Sequence, residues 1–562
     1  MSDNFYVDNK DLKFLMEKMI DWKSILKLKE TIGTEDCPYS NAEEAVATYL
    51  DMMTDPIGKL AAERIAPRAE EVDKTGCKLE NGVVQFPEGL QRNLQDLKDA
   101  QLMGVTIARE YGGLQFPETI YTAAIEIMSR ADASLMNFFG LQCGIAETIA
   151  VFASKELKDQ YLPRMSTGEF TGAMALTEPD AGSDLAAVQT RAGIEAMQDP
   201  VTGEWKINGT KRFITNGCGD VILVLARSED PQKYSGGRGL SFFLVEKGPY
   251  VKVRRIENKL GIHGSPTCEI YFDNAPAYLI GKRGFGLARY TTWLMLAARM
   301  AVGAQAIGIA EAALKASIEY AEQREQFGKP IKDFPQVAAM LTDMQVYTEA
   351  ARALLYATSE IVDIHQGAER RELKEEIRKY GKLAEALTPM AKYYATELAN
   401  RITYQAIQIH GGSGYMKEYP VERLYRDARI TNIYEGTSQI QIGWAILRLV
   451  KGDLDEYFGA FAAHVYSDPE LAALAGKAGE GLAVLRETLG FLKTKESVYR
   501  DHVAPHVVDM AIDVLVSYLF LQQAEKWDYK KLVARKFIRD AIPRIRMNRD
   551  YAFNGEPVTL PV

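Results

Sequence analysis

The sequence predicts a mainly helical α+β protein with one β-rich module inserted between helical segments. Three observations carry this. Apolar residues recur at three- and four-residue spacings through Leu60–Asp73, Gly89–Met103, Glu118–Arg130 and Gly144–Met165. Between Gly172 and Pro276 the texture changes to short β-branched runs, VILVLA at Val221–Ala226, LSFFLVEK at Leu240–Lys247 and CEIYFD at Cys268–Asp273. Helical periodicity then returns at Gly286 and runs to Val450, and it resumes at Leu471–Leu492 and Val507–Gln523. The 562 residues are 47% hydrophobic and 25% charged, the balance of a folded chain with a large core, which excludes a disordered or collagen-like polymer.

Five segments follow in order. Residues 1–58 form an N-terminal extension with short amphipathic stretches such as Leu12–Leu28. Residues 59–171 form a helical domain, and 172–284 the β domain. Asn208-Gly209, Asn216-Gly217, Gly236-Gly237 and Asn274-Ala275-Pro276 are its expected turns. Residues 285–450 form a second helical domain. Its segment Thr291–Ala310 carries a single charge, Arg299, so it belongs inside a bundle or a subunit interface. Residues 451–562 add a further helical domain.

Composition also narrows function. A net charge of −9 gives no general attraction to nucleic acid or anionic membrane. No apolar run is expected to reach transmembrane length, Val514–Leu521 being too short. The polar, acidic start MSDNFYVDNKD is not expected to be a secretory or mitochondrial leader. Five cysteines far apart in sequence, without a C-x-x-C pair, suit reduced thiols in a cytoplasmic protein. Six scattered histidines without H-E-x-x-H give no metal site. The glycine cluster Gly281–Arg289 breaks the G-x-G-x-x-G rule at Arg289, so a Rossmann dinucleotide site is not supported.

Four motifs remain. MALTEPDAGSD at Met174–Asp184 combines small residues, which allow close backbone approach, with the hydroxyls of Thr177 and Ser183. RFITNG at Arg212–Gly217 places an aromatic and a threonine two apart on one strand face, suiting either a wall for a flat ring or an ordinary hairpin. REQFGK at Arg324–Lys329 closes a long helix with a cation, which can pair with phosphate or simply complement the helix dipole. The stretch Gln408–Gln441 contains Gly411-Gly412, able to bring backbone N–H groups to a phosphate. It also holds Glu435 in the loop IYEGT, between a helix ending near Ala428 and another starting near Thr437.

Together, TEPDAGSD, FITNG, R-x-x-FGK and YPVERLYRDARI-x-x-IYEGTSQIQ closely resemble the acyl-CoA dehydrogenase family, over about Leu60–Val450. The resemblance implies an N-terminal helical domain, a central β-barrel-like or sandwich domain and a C-terminal four-helix bundle. It also implies FAD as cofactor, acyl-CoA as substrate and electron-transferring flavoprotein as electron acceptor, in fatty-acid β-oxidation. In that chemistry a glutamate takes the α-proton of the thioester while the β-hydrogen leaves as hydride to flavin N5. Glu435 occupies the position of the base. The alternative position in some relatives, before the residue matching Arg299, is here Ala298. Hydrogen bonds to the thioester carbonyl carry the enolate charge, and a dry pocket raises the glutamate toward working pH. Leu176, Thr177, Phe213 and Thr215 match the flavin wall, and Ser183 the flavin or thioester side of the pocket. Arg324, Phe327, Gln408, Gly411 and Gly412 match the FAD diphosphate and adenosine half, reached across a subunit boundary. Thr437 and Gln439 complete the flavin site, Gly436 the acyl site, and Arg299 faces the acyl-CoA. In the family the helix around Asn137–Ala146 bounds the pocket floor. Small Gly140, Cys143 and Gly144 suggest room there for a long or branched acyl group.

The long tail is similar to that of the longer family members, implying a homodimer rather than a tetramer. Two other readings share the fold. One is an acyl-CoA oxidase using oxygen. The other is a DNA-binding relative, weighed because Lys526–Arg549 holds nine basic residues against two acidic ones, Asp528 and Asp540.

Overall fold

The computed structural model describes residues 3–32, 34, 37–193 and 205–556. Residues 194–204 of the expected β domain, and the extreme ends of the expected N- and C-terminal segments, lie outside the described residues. The chain divides into two compact units: Met1–Asp8 with Asp51–Ala301, and Asn9–Leu50 with Val302–Val562.

In the first unit helices cover one part of the chain and a seven-stranded sheet the other. Helices α1 (Glu118–Ala131) and α2 (Met136–Phe152) are buried along most of their length. A small hairpin, Lys78–Glu80 with Val83–Gln85, interrupts the helical region. The sheet contains β1 (Gly172–Ala175), β2 (Arg191–Ala192), β3 (Trp205–Thr215), β4 (Val221–Arg227), β5 (Leu240–Glu246), β6 (Val251–Ile256) and β7 (Thr267–Ile280). Its pairing β4–β2–β3–β7–β5 returns to β4 and closes a barrel-like ring, with β1 beside β4 and β6 beside β7.

The run VILVLA explains why the sheet can be covered on both sides. Val221, Leu223 and Leu225 join a core cluster with Tyr161, Leu162 and Ile149 of the helices, while Ile222, Val224 and Ala226 join Trp205, Phe243 and Ile270 in a second cluster. A strand buried on both faces reads as a continuous apolar run rather than an alternating one.

Two expected turns are not turns. Asn208-Gly209 lies inside β3 and Asn274-Ala275-Pro276 inside β7. They sit opposite each other at a bulge. Asn274 N–H donates to Asn208 Oδ1 (2.8 Å), and Gly209 and Asn274 adopt positive φ. Asparagine and glycine tolerate that backbone as well in a bulge as in a hairpin, so the dipeptide signal alone misplaces it.

The second unit is helical. The long helix α3 (Thr292–Gln323) runs into it, followed by α4 (Pro335–Arg370), α5 (Lys374–His410), α6 (Pro420–Ala428) and α7 (Ser438–Lys451). The tail forms α8 (Pro469–Lys493), α9 (Ser497–Ala524) and α10 (Tyr529–Asn554). A buried ionic network binds the N-terminal segment and the tail to the bundle helices. The fully buried Arg352 donates to Asp11 and to Glu311, both at 2.8 Å. The equally buried Lys530 pairs with Asp11 and with Glu349. Removing one partner from such a pair leaves a buried charge uncompensated, at a cost of roughly 3–5 kcal/mol.

The expectation that no segment reaches transmembrane length is corrected. Ala133–Phe152, Gly286–Gln323 and Ser497–Lys526 are long and apolar enough to cross a membrane. Counting uninterrupted apolar runs missed them, because Gly, Ala, Thr and Ser dilute the runs without adding charge. In this fold 72%, 72% and 83% of their most apolar windows are buried against other protein.

Candidate active site

The first unit builds a wall from β1, β3 and the loop between β1 and β2. Its foundation is an ion pair. Lys211, fully buried, donates to the Leu176 carbonyl and to Glu178 Oε1, each at 2.8 Å. Glu178 also accepts the N–H groups of Gln189 (2.7 Å) and Thr190 (2.9 Å). Burial takes the Lys211 ammonium down to about 8 against the pull of Glu178. Burial alone would raise the Glu178 carboxyl, but Lys211 and the hydrogen bonds outweigh it and hold the group below its ordinary value.

Around this pair sit the expected wall residues. Leu176 is buried and Thr177 half-buried, its carbonyl accepting the Arg212 N–H at 2.9 Å. Phe213 and Thr215 lie on the outer side of β3, but not through simple alternation. A register shift between Lys211 and Ile214 makes a bulge, with Phe213 at φ +60° and 53% exposed. An aromatic residue held in the left-handed region and left half in solvent is strain of the kind that clusters at ligand sites. Ser183 is exposed on the loop. Arg299 on α3 is half-buried, with its Nε enclosed.

A narrow cavity of about 10 Å³ lies inside this unit, lined by Gly140, Gly144, Met174, Leu294 and Ala298, with Glu118 and Glu147 also on its wall. The room expected from Gly140 is not there. A Cβ on Gly140 would stand 2.6 Å from Met136 Sδ, so that side chain already fills the space.

The second unit carries the remaining motifs. Arg324 follows α3 directly, and Phe327 tips a tight hairpin (φ +51°) with 94% of its surface exposed. Gln408 is exposed in the last turn of α5. Gly411 (φ +59°) ends that helix, and a Cβ on Gly411 or Gly412 would meet nothing within 4 Å. Tyr320 of α3 connects the two motifs, stacking on His410 at 4.3 Å and donating to Ser413 Oγ at 3.3 Å.

Glu435 is half-buried at φ +56° and Gly436 follows at φ +92°. This left-handed pair turns the chain between α6 and α7. Thr437 caps α7 and Gln439 is exposed in its first turn. The turn is held from below. The fully buried Lys392 of α5 donates to the Gly436 carbonyl at 2.8 Å, and Gln441 Nε2 donates to the Glu435 and Gly436 carbonyls at 3.1 and 3.0 Å. A Cβ at position 436 would meet Gln441 Nε2 at 2.6 Å. Glu397 accepts from Asn432 at 3.0 Å and from Ser438, closing the loop behind. The Tyr434 hydroxyl bonds Gln305, and burial pushes that phenol well up.

Sequence reasoning missed Lys211, Glu178, Lys392, Gln441 and Tyr320. Two carried a signal. Lys211 stands in the inward phase of Trp205 and Ile207 on β3, and Lys392 in the apolar phase of Pro389, Ala395 and Ala399 on α5.

The chain matches the acyl-CoA dehydrogenase N-terminal domain over residues 49–169, the middle domain over 173–275 and the C-terminal domain over 283–448. It is 34% identical over 507 residues to 3-methylmercaptopropionyl-CoA dehydrogenase of Ruegeria pomeroyi, covering 84% of this chain and 81% of that one. The solved butyryl-CoA dehydrogenase of Megasphaera elsdenii aligns with a TM-score of 0.61 and 31% identity, over 72% of this chain and 97% of that one. An acyl-CoA dehydrogenase of Bacillus anthracis complexed with FAD has the same fold over 96% of this chain and 91% of that one, with a TM-score of 0.76 at 23% identity. FAD-dependent oxidoreductases are the class these matches define. The chain belongs to the acyl-CoA dehydrogenase family. The residues present fit that cofactor: a half-exposed ring on a rigid wall, a fully presented Phe327, and open glycine backbone at 411 and 412.

Proposed function

We propose that the protein catalyses α,β-dehydrogenation of a short acyl-CoA thioester to the trans-2-enoyl form, with Glu435 as the base that takes the α-proton. The observation that carries this is the Glu435–Gly436 turn, held in the left-handed region by Lys392 and Gln441. A carboxylate on a turn fixed from two sides keeps its aim, and aim is what converts a weak base into an effective one. Leu176, Thr177, Phe213 and Thr215 hold the flavin ring. Arg324, Phe327, Gln408, Gly411, Gly412, Thr437 and Gln439 hold the rest of FAD, the first five from a neighbouring subunit of a homodimer. Bound FAD supplies the two-electron acceptor for the β-hydrogen. Ser183, Arg299 and Gly436 contact the acyl-CoA.

The Met136 side chain over Gly140 and the narrowness of the cavity that Gly140 lines support a short acyl chain. Electron-transferring flavoprotein takes the electrons onward, in acyl-CoA breakdown in the cytoplasm, consistent with five free cysteines. The five segments bounded at 58, 171, 284 and 450 remain the division proposed for the chain. Turnover with saturated acyl-CoA thioesters of increasing length tests the reading: kcat/KM should be highest for short chains and fall steeply as the chain lengthens. A maximum at long chains would overturn the size assignment, and no turnover with any acyl-CoA would overturn the activity.

A further inference from the structure

Three of the five cysteines, far apart in sequence, gather at one end of the barrel. The tight turn after β3 starts this. Gly217 N–H donates to the Ile214 carbonyl at 3.2 Å, folding the chain back over β7, where Ile214 is already in register with Cys268. The approach is close: a Cβ on Gly217 would stand 2.8 Å from Cys268 Cβ. Cys218, the next residue, therefore lies beside Cys268. Cys218 Sγ also reaches Asn216 Oδ1 at 3.7 Å, and Cys268 Sγ reaches the Pro266 carbonyl at 3.9 Å. Cys77 comes in from the helical region, its Sγ 3.1 Å from the Gly264 carbonyl. Among the described residues no group of this kind is arranged to hold a metal ion.

The two thiols differ in a way that sets an order of reaction. Cys218 is partly exposed and Cys268 is buried. The neighbouring Cys268 thiol holds the Cys218 thiol below its ordinary value despite burial, and Cys218, together with burial, pushes Cys268 up. A partly exposed cysteine whose thiol is shifted toward the thiolate, next to a buried one, is the arrangement of an attacking and a resolving cysteine.

We propose that Cys218 and Cys268 are an oxidisable pair that closes to a disulfide when the protein meets hydrogen peroxide. The Cys218 thiolate attacks one peroxide oxygen, the O–O bond breaks and hydroxide leaves, giving a sulfenic acid. The Cys268 sulfur then attacks Cys218 Sγ, the S–S bond forms, the S–O bond breaks, and water leaves with the Cys268 proton. Two thiols and one peroxide become one disulfide and two waters. The bond joins β7 to the turn that ends β3. There the buried Asn216 (φ +50°) donates from Nδ2 to the Gly172 carbonyl and from its backbone N–H to Pro266, both at 2.9 Å. The modified site therefore lies directly behind Thr215.

The test uses FAD-loaded full-length protein treated with hydrogen peroxide, quenched with a thiol-blocking reagent and digested without reductant. The expected result is loss of two titratable thiols of the five, a mass lower by two hydrogen atoms, and a cross-linked peptide pair containing Cys218 and Cys268. Dithiothreitol should reverse all three. Cys218→Ser should abolish the cross-link, and Cys77→Ser should leave it intact. Because the Cys268 site is buried, Cys268→Ala supplies a second check: Cys218 should then gain oxygen without forming a cross-link. A bond from Cys218 to Cys77, oxygen added to Cys218 in the wild type with Cys268 still free, or an unchanged thiol count would each overturn the proposal.

Discussion

Replacing Glu178 by alanine tests whether the wall of the first unit rests on its buried ion pair. In the native structure the carboxylate satisfies three donors: the Lys211 ammonium and the N–H groups of Gln189 and Thr190. The substitution strands the ammonium, fully buried, with the Leu176 carbonyl as its remaining partner among these contacts. Breaking one side of a buried pair costs roughly 3–5 kcal/mol. For a unit of this size each kcal/mol moves Tm by roughly 2–4 °C, so a fall of roughly 6–20 °C is expected. Thermal unfolding followed by circular dichroism measures it, with and without added FAD. Lys211→Met should cost less, because Glu178 keeps two backbone donors and methionine fills similar volume. The pH dependence has a definite sign. Lys211 titrates at about 8 when folded and near 10.5 when unfolded, so between these values the unfolded chain binds a proton that the folded one does not. Stability contributed at this site therefore rises as pH goes from about 8 toward 10.5, and the gap between wild type and Lys211→Met should change over that window. A Tm loss below roughly 2 °C for Glu178→Ala, with no pH-dependent gap, would refute the reasoning.

Three further outcomes are expected. Lys392→Met should leave FAD content unchanged but lower kcat by about 10-fold or more, since the Gly436 carbonyl loses its fixed donor and Glu435 its aim, as flavin content and steady-state kinetics would show. The protein should run as a homodimer, with a light-scattering mass twice that of the chain, and a fourfold mass would contradict this. Gel retardation with duplex DNA should show no binding at low salt. The nine basic side chains of 526–549 are already engaged within the second unit, Arg535 on Glu470, Lys536 on Asp343, Arg544 on Asp513 and Arg549 on Glu487 among them.

Much of the fold was legible because it rests on local patterns. The loop between Ala428 and Thr437 and the apolar runs of β4 and β5 are each written in consecutive residues, and the structure places them within a residue or two; β7 starts where its apolar run does but continues to Ile280, past Asn274-Ala275-Pro276. What stayed hidden depends on pairs distant in sequence. Asn208 and Asn274 look like two turns until their strands are paired at a bulge. Lys211 and Lys392 look like surface cations until their phase on the strand and helix is followed inward. Nothing in the spacing of Cys77, Cys218 and Cys268 shows that they converge. Gly140 looks like open space, and only the position of Met136, one helical turn earlier, shows that it is filled.

The most direct test of the central claim is anaerobic titration of FAD-loaded wild type and Glu435→Gln with a short acyl-CoA, following the visible absorption of the flavin. The substitution keeps the shape of the side chain and the carbonyl contacts from Gln441 and Lys392, so FAD and thioester should both still bind. Glu435 as base predicts rapid bleaching in the wild type and none on the same timescale in the variant. Bleaching of the variant at near wild-type rate would contradict the assignment and place the base elsewhere.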